Sequence, residues 1–377
     1  MKYMGSKRTM LKAGLGDVLE RELDGRGRFF DLFTGSGTVA HHVAENYPVE
    51  VIATDLQEYA ATLARSIITR TKPLSFECWV PNWIAAAMAQ AERSADAITL
   101  AEIQSRFDLE KLPRQVARAR LLAAESSSDF VRAYGGWYFS PWQALLLSSL
   151  RTVADPNAEW YDVAVAAVVQ TASRCVAAPG HTAQPFKADT KAAPFLLEAW
   201  RRDVIALVTV CAASLSGRHG LRSGIAFLGD ANDVAISLKE NDVAFLDPPY
   251  SSVHYSRFYH VLESIARGHV GDVSGAGRYP APEQRPTSNY SIPTKSELAL
   301  KVLLERIADA GATAIITFPS GETSNRLSGA GIAETASKRF DVQHTRIASR
   351  LSTLGGDHKH RGARHDTEEL ILTLKPY

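Results

Sequence analysis

Two consecutive prolines, Pro248 and Pro249, follow directly on the apolar run Val243-Ala244-Phe245-Leu246 and the acid Asp247. Neither proline carries an N–H, each fixes its own φ, and each pushes the residue before it into an extended conformation. A hydrogen-bonded ladder cannot continue through them. The run therefore reads as a buried parallel strand that ends at Asp247, at the carboxyl end where open α/β sheets bind their ligands. There the Asp247 carboxylate and the Pro248 carbonyl form two acceptors suited to an NH2 group, and Tyr250 adds a ring that can stack on the heterocycle carrying it. Asp-Pro alone is a common turn opener. The whole tetrapeptide Asp247-Pro248-Pro249-Tyr250, in a chain that also has a nucleotide-type glycine loop, favours chemistry on an exocyclic amino group.

That loop lies near the N-terminus. Phe29-Phe30-Asp31-Leu32-Phe33, then Thr34-Gly35-Ser36-Gly37, then Val39, Val43 and Ala44 read as strand, loop and helix. Val51-Ile52-Ala53-Thr54 forms a second strand ending at Asp55, followed by a helix through Ala60, Leu63, Ala64 and Ile67. The pattern resumes at Ile225 to Asp230, at the Asp247 strand and at Ala314 to Phe318, and His344 to Leu351 with Leu370 to Leu374 are expected to pair as an antiparallel hairpin. From about Pro73 to Arg222 helical spacing dominates, and all six tryptophans fall there. Within it Ser140 is placed to cap a helix whose first position is Pro141. We expect an α/β fold, a doubly wound and mostly parallel sheet with a C-terminal antiparallel hairpin, divided by a large helical insert.

With 377 residues, 45% of them hydrophobic, the chain can bury a substantial core. No run is long and apolar enough to span a bilayer and the N-terminus lacks a signal-peptide core, so a cytoplasmic protein without membrane association is expected. Cys78, Cys175 and Cys211 match no zinc or redox spacing; we expect no metal and three core cysteines. A net charge of +1 means that nucleic acid would have to be held by local patches.

Gly35 and Gly37 let the backbone turn tightly and approach a ligand. Ala40 stands where a dinucleotide enzyme usually has its third glycine, a permitted variant, so the loop alone leaves a dehydrogenase open, with Asp55 about 20 residues on as its ribose-binding acid. Asp31 shifts the balance. A carboxylate at the mouth of the loop repels a pyrophosphate but attracts an ammonium or a sulfonium, and S-adenosylmethionine fits.

Lys2-Tyr3-Met4-Gly5-Ser6-Lys7, Asp31-Leu32-Phe33-Thr34-Gly35-Ser36-Gly37, Asp55 and Asp247-Pro248-Pro249-Tyr250, in this order with a long segment between, resemble the Dam-type (group alpha) DNA adenine-N6 methyltransferases. The resemblance implies a Rossmann-like S-adenosylmethionine-dependent catalytic domain over residues 1–72 and 223–377, with a target-recognition insert at 73–222. It further implies that Tyr3 and Lys7 help hold the cofactor's methionine and carboxylate end, that Phe33, Gly35 and Gly37 cradle it, and that Asp230 lies near its adenine; Asp31, Thr34, Ser36, Asp55 and Leu56 complete the expected cofactor-binding set. The insert is longer than that of the smaller Dam proteins, and their base-reading residues do not map onto it.

The expected reaction is direct in-line methyl transfer to a flipped-out adenine, with Asp247, Pro248, Pro249 and Tyr250 as the catalytic set. Tyr255, Ser256, Arg257 and Tyr259 either close over that base or form an ordinary amphipathic helix start. Arg285, Ser288 and Asn289 are expected in a mobile loop over DNA, and His181 and Lys187 in an ordered loop of the insert that approaches it. Lys359, Arg361 and Arg364, with His358 and His360, form the densest basic cluster, suited to phosphates or to a solvated hairpin loop. The expected partners are double-stranded DNA and a cognate restriction or defence system, with the chain itself a monomer. An N4-cytosine methyltransferase performs the same chemistry, although aspartate at the head of the tetrapeptide leans towards adenine. A catalytically silent DNA-binding protein on this fold is the alternative from another class.

Overall fold

The computed structural model describes residues 7–189, 191–351 and 365–377. The chain divides into two compact units, one built on a sheet and one on helices.

The sheet unit takes residues up to Thr71, then His219–His254 and Thr287–Tyr377. Its strands are β1 (Arg28–Asp31), β2 (Glu50–Asp55), β3 (Ile225–Leu228) and β4 (Val243–Leu246). Two short strands, β5 (Val273–Ser274) and β6 (Tyr279–Pro280), belong to the helical unit. The sheet is completed by β7 (Thr313–Pro319), β8 (Phe340–Leu351) and β9 (His365–Pro376). The order is β3-β2-β1-β4-β7-β9-β8, with the first five parallel and the β8/β9 hairpin antiparallel. This is the expected doubly wound sheet with its terminal hairpin. Residues Val243–Leu246 and Thr313–Pro319 are buried throughout, as central parallel strands covered on both faces must be. One face packs Phe30, Ile52, Leu246, Ile316 and Leu372 against Leu303 and Ile307; the other packs Phe29, Val51, Phe245 and Ile315 against Leu19 and Val43.

The chain winds from β1 through β2 to β3 on one side, then returns to place β4 on the other side of β1. That reversal makes the carboxyl ends of β1 and β4 the switch point of the sheet, where the crevice opens. Asp31, Asp55 and Asp247 sit at or just past the ends of β1, β2 and β4, and Asp230 closely follows β3.

The helical unit takes Lys72–Arg218 and also Tyr255–Pro286, a stretch that sequence reading left with the sheet. Ser140 and Gln143 form a reciprocal capping box with Pro141 at the start of the helix Pro141–Thr152, as the sequence indicated. Leu145, Leu146 and Leu150 of that helix are buried. Trp79 stacks on Trp160 at 5.0 Å, and Trp83 donates its indole N–H to the Leu150 carbonyl. Cys175 and Cys211 are core residues, but Cys78 is exposed and corrects the expectation for all three. It lies in the first turn of the helix Phe76–Glu92, where its thiol donates to Ser75 Oγ at 3.3 Å. No helix among the described residues is long and apolar enough to cross a membrane.

Candidate active site

The glycine loop leaves β1 at Asp31 and reaches the helix Thr38–Asn46 through Gly35 and Gly37, at φ +52° and +71°. Asp55 braces it. Its carboxylate accepts from the Gly35 N–H at 2.9 Å and from the Gln57 N–H at 3.0 Å, so the end of β2 fixes the loop beside β1. The Thr34 N–H donates to the Thr54 carbonyl and its hydroxyl to the Asp31 carbonyl. Ser36 and Thr38 share a hydroxyl bond, Phe33 packs edge-on to Tyr290, and Leu56 is half-buried.

A Cβ on Gly37 would lie 2.9 Å from the His41 ring, which is itself held by the Leu63 carbonyl. With the left-handed φ, this makes the position intolerant of side chains. We expect Gly37→Ala to lower stability by about 1–3 kcal/mol in urea unfolding.

Asp31 is fully buried. Oδ2 accepts from the Ala40 N–H at 3.2 Å, while Oδ1 has no hydrogen-bond partner. Burial pushes its carboxyl up to about 8; the charge of Asp247 adds to this, and the backbone N–H groups of Phe33 and Ala40 oppose it. A buried carboxyl with one unpartnered oxygen can take up a cation that displaces its proton. Asp230 caps the short helix Ala231–Ala235 through the Asn232 N–H.

At the tetrapeptide, the Lys7 ammonium reaches Asp247 Oδ1 at 2.9 Å and Glu369 Oε2 at 3.6 Å, and the Thr317 hydroxyl donates to the same Oδ1 at 3.0 Å. Burial alone would lower the Lys7 pKa, but Asp247 and Glu369 together raise it, so the ammonium stays charged. Burial raises Asp247 while Lys7 restrains it. Both contacts fall on Oδ1. Among the described residues no hydrogen bond reaches Asp247 Oδ2 or the Pro248 carbonyl. These are the two acceptors that the sequence assigned to an amino group. Tyr250 is half-buried and packs against the core of the sheet.

Three residues that the sequence reading missed shape this end of the cleft. Thr317 comes from β7 beside β4, Glu369 from β9, and Asn325 from the loop after β7. Asn325 is fully buried and donates to the Pro249 carbonyl at 2.6 Å and the Tyr290 carbonyl at 2.8 Å, which holds the proline pair in place. Only a strand neighbour or a packed loop supplies them, and neither adjacency is written in local sequence. Because Asn325→Ala strands two carbonyls, we expect a loss of about 2–4 kcal/mol in thermal or urea unfolding.

The residues expected to contact DNA fall on several elements. Tyr255, Ser256, Arg257 and Tyr259 begin the helix Tyr255–Arg267, where Ser256 and Tyr259 are buried, Tyr255 is half-buried and Arg257 is exposed. The side chains of Ser256 and Tyr259 fall on the packed face of this helix. Arg285 lies over the Tyr279 ring. Ser288 does not sit in a free loop: its hydroxyl caps the turn Asn289–Ser291 and its N–H donates to His254 Nδ1, next to the buried Tyr290. His181 packs on Phe258, with burial lowering its pKa, and Lys187 is exposed. Tyr3, Lys359, Arg361 and Arg364, with His358 and His360, lie outside the described residues. Among the described residues no cluster of His, Cys, Asp or Glu could hold a metal ion.

Residues 3–91 match the family model of the D12 class N6 adenine-specific DNA methyltransferases, a family of enzymes. The matched stretch carries Lys7, Asp31, the glycine loop and Asp55 and bears out the resemblance drawn from the motifs, although it covers under a quarter of the chain and ends well before Asp247. No curated protein matches the chain.

Proposed function

We propose that this chain moves a methyl group from S-adenosylmethionine to the N6 amino group of an adenine turned out of double-stranded DNA. The observation that carries the reading is the pair of unengaged acceptors, Asp247 Oδ2 and the Pro248 carbonyl, in the same sheet-end crevice as the unpartnered Asp31 Oδ1. The family match supports adenine as the base.

The residues present fit the cofactor. Asp31 Oδ1 would take its α-ammonium, Gly35 and Gly37 admit it closely, Asp55 at the end of β2 would face its ribose hydroxyls, and Asp230 stands at the far strand end for the adenine side. When bound, S-adenosylmethionine supplies an electrophilic methyl group on a sulfonium. Lys7 pairs with Asp247 and Glu369. Its role here is to hold the Asp247 carboxylate.

Lys7 and Thr317 fix Oδ1 and so orient Oδ2. The lone pair of an adenine amino nitrogen is delocalised into the ring, which makes it a poor nucleophile. When Asp247 Oδ2 and the Pro248 carbonyl accept its two N–H groups, they favour a more pyramidal nitrogen and free that lone pair. The nitrogen becomes acidic only as its new bond forms, so no prior deprotonation is needed; Asp247 then faces the departing proton. Positioning and fixed electrostatics supply the rate, without a covalent enzyme intermediate. Turning the base out costs a few kcal/mol, which stacking on Tyr250, worth about 1–3 kcal/mol, partly offsets.

Incubation of duplex DNA with methyl-labelled S-adenosylmethionine tests the reading. We expect label in the DNA; label confined to protein or RNA would contradict it, and calorimetric binding of NAD without S-adenosylmethionine would return the dehydrogenase alternative.

A further inference from the structure

The helical unit carries two aromatic rings, each flanked by two arginines. The Arg120 guanidinium lies 3.7 Å from the Trp137 ring centre and that of Arg278 lies 5.3 Å from it. Arg257 and Arg285 lie 4.8 and 5.7 Å from the ring of Tyr279, the residue next to Arg278. The four arginines come from separate segments: the helix Leu112–Ala124, the start of the helix Tyr255–Arg267, the β5/β6 turn and the chain after Gln284. Among the described residues none of the four has a carboxylate partner.

This grouping is built rather than incidental. Arg120 donates Nε–H to the Gly136 carbonyl at 3.0 Å, and Gly136, at φ +75°, lets the turn approach so closely that a Cβ would lie 2.8 Å from Arg120 Cγ. Among the described residues Arg278 is one of three non-glycine residues at positive φ (+50°), and it donates to the Ala133 and Arg132 carbonyls. Backbone strain of this kind persists only where the surroundings enforce it. Arg278's charge adds to the burial that lowers the Arg120 pKa, so the two cations are held together against their repulsion. Bonds to carbonyls fix where the guanidinium groups sit but do not neutralise them. An anion would.

Beside Arg120 and Trp137 opens a cavity of about 420 Å³, with Phe186, Pro185 and Val116 among its apolar walls and Lys187 at its edge. The one acid lining it, Asp189, already accepts from the Lys191 and Ala192 N–H groups. Forked guanidinium donors suit a phosphate, and an apolar, partly aromatic cavity of this volume suits the base attached to one.

We propose that Arg120, Arg278 and the cavity beside Trp137 form a nucleotide site in the helical unit, which takes the phosphate and base of one DNA-strand residue other than the methylated adenine. Arg257 and Arg285 continue the path of the strand along Tyr279. This inference rests on the reading of the chain as a DNA methyltransferase.

The test is fluorescence anisotropy of a labelled duplex with the full chain across a salt series, alongside calorimetry with S-adenosylmethionine. Arg120→Gln and Arg278→Gln are each expected to weaken duplex binding about tenfold and to reduce the salt slope by about one, with cofactor affinity unchanged. Arg120→Lys keeps the charge but loses the fork, and we expect it to recover the slope without the full affinity. Because glutamine at either site could disturb the fold, wild-type chain is also cross-linked by light to a bromodeoxyuridine-substituted duplex, with label expected on the peptides carrying Trp137 or Phe186. Variants that bind as wild type does, or cross-links confined to other segments, would overturn the site while leaving the methyltransferase reading intact. Displacement of the duplex by micromolar dAMP would assign the site to a free nucleotide instead and overturn the strand assignment. A wild-type chain that binds no duplex at all would overturn both.

Discussion

Asp247→Ala is expected to lower methyl transfer by a factor on the order of 10²–10³, the usual cost of removing one preorganised polar group from a transition state, while S-adenosylmethionine still binds. The acceptor at Oδ2 disappears and only the Pro248 carbonyl remains for the amino group. The buried Lys7 ammonium is not stranded, because Glu369 stands 3.6 Å away. Nor should the cofactor pocket weaken. The Asp247 charge is one of the causes that raise the Asp31 pKa, so its removal favours the Asp31 carboxylate that a cationic ligand requires. Asp247→Asn tests the same point with volume conserved, and it should fail similarly because an amide presents its own N–H2 beside that of the base. Single-turnover kinetics with labelled cofactor, read beside calorimetry, separates the two effects. Normal turnover in either variant would remove the mechanism.

The second large effect concerns Asp31 and pH. With its pKa raised to about 8 by burial first and by Asp247 next, the side chain is protonated in the free protein at neutral pH. A cation held on Oδ1 requires the carboxylate, so binding must expel that proton. Affinity for S-adenosylmethionine should therefore climb with pH by up to about tenfold per unit towards pH 8 and then level off, with net proton release at neutral pH in calorimetry across buffers of different ionisation enthalpy. Stability runs the other way. Between the unfolded value near 4 and the folded value of about 8, the native state holds a proton that the unfolded chain has lost, so this group's contribution falls as pH rises through that window. Asp31→Asn should flatten that dependence, leave the free protein at least as stable, and weaken cofactor binding about 100-fold or more, in line with a lost charge-assisted contact of roughly 3 kcal/mol. Binding that is insensitive to pH, or an unaffected Asn variant, would show that Asp31 meets no cation.

Much of this cleft is legible in sequence because its parts are local. Val243 to Leu246 is apolar without alternation and must be buried on both faces, and the prolines after it allow no continuation, so β4 and its acid can be placed to the residue. Gly35, Gly37 and the acids at the strand ends carry the other half. What the sequence withholds is adjacency. Thr317 reads only as a residue of an apolar strand until β7 is set beside β4, and Glu369 becomes a partner of Lys7 only when β9 turns antiparallel onto β7. The amphipathic helix Tyr255–Arg267 illustrates the same limit. Its apolar face announces burial but not against what, and Tyr134 and Tyr138 of the helical unit close around its His260. Periodicity finds a buried face; it does not name the surface that covers it. Cys78 shows the converse, a residue type usually found inside that lies on an outward helical face, at a position that spacing to other cysteines cannot reveal.

The identity of the methylated base decides the account most directly. Duplex DNA incubated with the protein and methyl-labelled S-adenosylmethionine, digested to nucleosides and resolved by mass, is expected to carry the label as N6-methyldeoxyadenosine, and to lose it with Asp247→Ala. Label recovered as N4-methyldeoxycytidine would contradict the assignment of the Asp247 and Pro248 acceptors to adenine, and DNA without label would contradict methyl transfer itself.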